Sequence, residues 1–106
     1  MDGVISVNKI EEKKVLIKII GILESLSYNA ITIPEGEKYI FSPKFSKRLI
    51  DMNCNKNIID IVEECCELED IESLIPEKLD QNINSLKLKS IEVLKSYDKF
   101  DSRDWN

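Results

Sequence analysis

The stretch KIEEKKVLIKIIGILESLSY, residues 9–28, decides the fold. Val15, Leu16, Ile19, Ile20, Ile22, Leu23 and Leu26 recur at helical spacing and cover a wide arc. Lys14, Lys18, Gly21, Glu24 and Ser25 take the opposite side. An arc that broad predicts a central helix touched by several neighbours. Each Leu or Ile buried there contributes about 1.5–3 kcal/mol before the entropy of ordering is subtracted.

Downstream, Pro76 opens a second long pattern ending near Tyr97. Its inner stripe is Leu79, Ile83, Leu86, Val93, Leu94 and Tyr97, with Leu88 nearly opposite and Ile91 well off centre. Shorter segments lie between. Thr32 and Pro34 start one over residues 34–41, where Glu35 suits a helix N-terminus. Ser42-Pro43 is a cap and first-turn pair that starts another, running to about Met52 with Phe45, Leu49 and Met52 on one face. Asn53-Cys54-Asn55 reads as a loop, and Asn55 or Asn57 as the cap of a fourth helix. There Ile58, Ile59, Val62, Cys65 and Cys66 face inward, while Asp60, Glu63 and Glu64 face water. Residues 69–75 form a further short turn or helix. The expected architecture is an all-α, compact orthogonal bundle of about five helices, two long (about 9–28 and 76–97) and three short. It is one domain over 1–106 with loose ends at 1–8 and 98–106, the first a frayed end or one short strand, the last polar with Phe100 and Trp105 as the two side chains able to tether it.

Composition agrees. The chain has 106 residues, 42% hydrophobic and 33% charged, with only three Gly and three Pro to serve repeated β turns. That length buries roughly 60–70% of the surface of the unfolded chain. No apolar run nears the roughly 18–20 residues that span a bilayer, and nothing resembles a secretory signal, which predicts a cytoplasmic protein off the membrane. Three cysteines, Cys54, Cys65 and Cys66, cannot pair completely and fit a reducing compartment.

Charge is distributed unevenly. Between Asn57 and Glu77 stand eight acids, Asp60, Glu63, Glu64, Glu67, Glu69, Asp70, Glu72 and Glu77, with no Lys or Arg. The whole chain has 15 basic and 20 acidic residues, net −5, so the remainder carries 15 against 12, or +3. A patch of −8 repels itself and invites a reason such as capture of a basic partner, although a solvated face that keeps the protein soluble is the plain alternative.

Much catalytic equipment is missing. The chain has no histidine, which removes the commonest general acid–base group and the commonest zinc ligand. The cysteines lack metal-ligand spacing, and neighbouring Glu63, Glu64 and Glu67 disfavour thiolates. Gly3, Gly21 and Gly36 are isolated, so no phosphate loop exists. The acidic block lacks the Gly and alternating oxygens of a calcium loop. A strongly negative surface repels nucleic acid, and Lys44, Lys47 and Arg48 form only a small basic cluster. The expectation is a non-enzymatic protein without cofactor or metal.

Tyr39-Ile40-Phe41-Ser42-Pro43 and the run from Cys66 to Leu79, CELEDIESLIPEKL, resemble a family of small bacterial proteins carrying a domain of unknown function. The resemblance covers about Ile10 to Leu94 and implies domain limits and a bacterial cytosolic origin, with no catalytic residues to carry over. A looser likeness, on size and charge alone, is to toxin-neutralising immunity proteins.

Two functions follow as expectations. The first is an immunity protein or antitoxin that holds a basic toxin, such as a nuclease, through Glu63, Glu64, Glu67, Glu69, Asp70 and Glu72, with Tyr39, Tyr97 and Trp105 as candidate anchors. The second is a self-assembling structural or regulatory domain, a homodimer through Leu88 and Ile91. Cover from residues 4–7 or Trp105 would explain those two side chains without a dimer.

Overall fold

The computed structural model describes residues 7–39 and 42–99, with Val7 and Asn8 described by backbone alone. The described residues are all-helical. In chain order the helices are α1 (Val7–Ser27), α2 (Ile33–Tyr39), α3 (Pro43–Asp51), α4 (Lys56–Cys65), α5 (Leu68–Leu74) and α6 (Leu79–Lys95), with a 3-10 turn at Pro76–Lys78. Four of these described helices reach nine residues or more, in place of the expected five. Between them α2 and α5 are seven-residue pieces, and Pro76 opens the 3-10 turn that delays α6. Val7 and Asn8 belong to α1 rather than to a loose end. Phe100, Trp105 and residues 4–6 lie outside the described residues.

Local chemistry sets the boundaries. The Ser42 hydroxyl accepts from the Phe45 amide at 3.2 Å with Pro43 in the first turn, and Asn55 caps α4 by accepting from the Asn57 amide at 2.8 Å. Ahead of α2, Thr32 and Glu35 form a reciprocal capping box. The Thr32 amide donates to Glu35 Oε1 at 2.8 Å, and the Glu35 amide donates to Thr32 Oγ1 at 3.3 Å. Both α1 and α3 end on an asparagine in the left-handed region, Asn29 at φ 59° and Asn53 at φ 57°. The next amide then reaches five residues back, from Ala30 to the Ser25 carbonyl at 2.8 Å and from Cys54 to Leu49 at 2.9 Å.

The core gathers on α1. Leu16, Ile19 and Leu23 are fully buried, with Ile22 and Leu26 close behind, and they meet Leu49, Ile58, Ile61, Val62, Cys65, Leu68, Ile83 and Leu86. Of the inward residues expected on α4, Ile58, Val62 and Cys65 are buried while Ile59 and Cys66 are only half-buried, and Ile61 joins the core in addition. Met52 is exposed rather than inward because α3 stops at Asp51. The two long helices do not cross at a right angle. Tyr97 Oη donates to Glu12, Lys13 Nζ donates to the Asp98 carbonyl, and Lys87 pairs with Glu24. These links run in opposite order along the two helices, so α1 and α6 lie antiparallel over most of their length. Ser90 sits fully buried at this seam, its hydroxyl turned back to the Leu86 carbonyl at 2.8 Å. A small side chain there lets the helices approach closely.

Candidate functional site

The acidic candidates divide by the helix face each occupies. On α4, Glu63 and Glu64 are consecutive and therefore about 100° apart. Glu63 turns toward α3, where Ser46 Oγ donates to its Oε2 at 3.2 Å. Glu64 turns toward α6 and pairs with Lys89 at 2.9 Å. Asp60 pairs with Lys56 one turn earlier at 3.1 Å. The block is therefore partly neutralised, and Glu64 leaves the expected surface because Lys89 faces it across the α4–α6 seam. Glu67, Glu69, Asp70, Glu72 and Glu77 are exposed and make no ion pair with a described residue.

A ninth acid completes the surface. Glu37, near the end of α2, has its carboxyl pushed above the ordinary range, first by burial and then by the charge of Glu69. The Cys66 thiol is pushed up by burial and then by Glu37, Glu63 and Glu67. These four carboxylates thus converge on the seam where α2 meets the α4–α5 turn. Glu72 stands three residues after Glu69, hence on the same side of α5, and continues the ridge. Asp70 is about a third of a turn away from Glu69. Of the six residues singled out by the sequence, Glu63, Glu67, Glu69 and Glu72 share the ridge, Asp70 adjoins it and Glu64 faces elsewhere. Nothing in the sequence marked Glu37, whose segment carried no assigned face.

The ridge leads to a groove of about 510 Å³ between the α1–α2 loop and the α5–α6 region. Leu26, Ile31, Ile33, Leu79 and Ile83 line it, with Glu72 the acid at its wall. A smaller groove of about 250 Å³ lies between α3 and α4, lined by Pro43, Ser46, Lys47, Ile50, Glu63 and Cys66.

Polar side chains elsewhere serve the fold. One Glu12 carboxylate oxygen accepts from Tyr97 Oη at 2.7 Å, and the other accepts from the Asn55 amide, also at 2.7 Å. Asn55 Nδ2 also donates to Tyr97 Oη at 3.2 Å. The carboxylate thus sits at the N-terminus of α4, where negative charge is favoured. Burial and the acceptor Glu12 push the Tyr97 phenol up, and burial with Glu12 pushes the Cys54 thiol to about 11. Tyr97 is committed to this internal network, which removes it as an anchor. Tyr39 is exposed, with Lys18 Nζ 6.0 Å from its ring centroid, and Trp105 lies outside the described residues.

All three cysteines are free. Cys65 is buried and its thiol is pushed up, burial being the largest cause and Cys66 and Glu64 the next. Burial therefore outweighs the acids that the sequence pointed to. Among the described residues no group of three or more Cys, Asp or Glu side chains is placed to hold a metal ion. Among the same residues no helix is long and apolar enough to cross a membrane.

The model of the family described as "Protein of unknown function (DUF3969)" matches residues 6–106, and the chain belongs to that family. The match extends beyond the Ile10–Leu94 span of the motif resemblance at both ends. No curated protein and no solved structure matches the chain. The likeness to immunity proteins, which rested on size and charge, gains no support from these comparisons.

Proposed function

We propose that this family member is a non-enzymatic, cytoplasmic protein-binding module that captures a basic protein partner on its acidic ridge. The most concrete form is an immunity protein or antitoxin acting on a basic toxin domain such as a nuclease. The observation that carries the reading is the approach of Glu37, Glu63, Glu67 and Glu69 to one another from α2, α4 and α5, none of them in an ion pair with a described lysine or arginine. Like charges brought together in the native state raise its free energy, a cost that a cationic partner relieves. Opposite charge also raises association rates toward roughly 10⁸–10⁹ M⁻¹s⁻¹ at low salt, which suits a protein that must reach its target first.

The test uses basic domains encoded beside this gene, purified and mixed with the chain by stopped flow. The association rate is expected to fall at least about tenfold as screening rises from low to high salt. The Glu67→Lys/Glu69→Lys/Asp70→Lys variant is expected to associate slowly and with a flattened salt profile. A wild-type rate that ignores ionic strength, or a triple variant that keeps the wild-type profile, counts against capture by charge.

A second reading is self-assembly. Leu88 is 53% exposed on α6 and Ile17 is 50% exposed on the neighbouring α1, each an apolar side chain left facing solvent. Ile91, the other expected dimer residue, is half-buried. Sedimentation of the wild type and of Leu88→Lys separates the readings: a concentration-dependent dimer lost in the variant supports assembly, and a monomer in both removes it.

A further inference from the structure

An acidic ridge explains steering but not grip, because exposed charge pairs each contribute little. Grip needs an apolar contact desolvated within the same footprint. The groove between the α1–α2 loop and the α5–α6 region is placed to supply it. Its volume of about 510 Å³ falls in the range of sites that enclose a substantial ligand group. Ile31 and Leu79 are half-buried along it and Leu26, Ile33 and Ile83 belong to the core beneath, so the floor is aliphatic, while Asn29, Thr32 and Glu72 make the rest of the lining polar. Glu72 forms part of the wall and also ends the ridge that runs back through Glu69 to Glu37. Apolar floor and negative rim are thus contiguous, and α2 and α5 border both. An occupant suited to both parts must carry an apolar side chain and positive charge within one short segment. A free hydrocarbon would leave the carboxylates uncompensated, and a polyanion would be repelled by them.

We propose that this groove receives one aliphatic or aromatic side chain of a lysine- or arginine-rich segment of the partner protein, while that segment's cations lie along Glu72, Glu69 and Glu37. The inference rests on the reading of capture by charge and adds the anchor that reading lacks. It replaces the anchors expected on this chain, Tyr39 and Tyr97, with an anchor on the partner. The smaller α3–α4 groove is a poorer match, since Lys47 lines it and opposes a cationic segment.

The test uses a short synthetic lysine-rich peptide carrying a single leucine, and the same peptide with that leucine replaced by serine. Binding is followed by fluorescence anisotropy and by methyl NMR shifts. The leucine peptide is expected to bind about tenfold tighter or more. The largest shifts should fall at Ile31, Leu79 and Ile83. The groove-filling variant Ile31→Trp, shown to unfold cooperatively, should bring the leucine peptide down to the affinity of the serine peptide. Glu72→Lys should weaken both peptides. Equal, salt-sensitive binding of the two peptides overturns the groove and leaves the acidic ridge standing. Tighter leucine binding with shifts centred on Ile17 and Leu88 overturns the placement. No binding of either peptide overturns both the groove and the ridge.

Discussion

Ile19→Asp is expected to abolish cooperative unfolding, leaving a chain with little helical signal at room temperature. Ile19 has 0% exposure and sits in the arc of α1 that meets the rest of the core. The substitution removes an aliphatic contact, which alone costs about 2–5 kcal/mol, and adds a carboxyl group that must be buried without a partner or protonated. Total stability of a domain this size is about 5–15 kcal/mol, so the sum takes most or all of it. The neighbouring change Ile17→Asp is the control. Ile17 is half exposed, and its variant should stay folded with a loss of about 1 kcal/mol or less. Circular dichroism with urea titration reads both. A folded Ile19→Asp, or an equally damaging Ile17→Asp, would refute the assignment of the α1 face.

Glu12→Ala should cost about 3 kcal/mol, more than its half-buried position on a helix suggests. It removes the acceptor for the Tyr97 hydroxyl and for the Asn55 amide together, and with them the carboxylate at the start of α4. Three elements lose their common tie: α1, the α4 cap and the end of α6. Glu12→Gln keeps an acceptor and should lose less. The same cluster makes the fold sensitive to alkali. The folded-state pKa values of the Tyr97 phenol and the Cys54 thiol are raised, Cys54 from 9.0 to about 11, so the native state favours their protonated forms. That contribution is complete below about pH 9, the ordinary thiol value, and is lost as pH rises through the folded-state values. Urea midpoints should therefore hold up to about pH 9 and fall above it, and Cys54→Ser should soften the early part of the fall.

Much of this architecture was legible because the chain writes strong helical signals. The face of residues 15–26 named the core of α1. Ser42-Pro43 marked the cap and first residue of α3 where they lie, and Asn55 was one of two caps offered for α4. The short helix expected over residues 69–75 is α5, one residue earlier at each end, but the place of the break before it was not legible. Apolar residues keep helical spacing from Ile58 through Ile61 and Cys65 to Leu68, so the turn at Cys66 and Glu67 leaves no mark in the pattern. Ser90 was overlooked for a different reason. A small hydroxyl residue reads as surface, yet it can donate to the backbone carbonyl one turn before it and so be buried inside the helix packing.

The candidate site was legible as composition and illegible as geometry. A run of acids announces charge, but only the helix phase separates Glu63 from Glu64. Only tertiary packing brings Lys89 to Glu64 and Glu37 to Glu69. Both pairings join residues 25 or more positions apart in the chain. Such contacts lie beyond any local pattern.

On the capture reading, carboxylates from separate helices crowd one surface and repel there. The most direct measurement is a double-mutant cycle in urea unfolding with Glu37→Gln, Glu69→Gln and the double variant, at low salt and near 1 M salt, where the Debye length shrinks to about 3 Å. A repulsive coupling of a few tenths of a kcal/mol is expected at low salt, with the two single changes stabilising by more in sum than the pair does together, and it should fade at high salt. Zero or attractive coupling at low salt would contradict the ridge and, with it, the reading of partner capture.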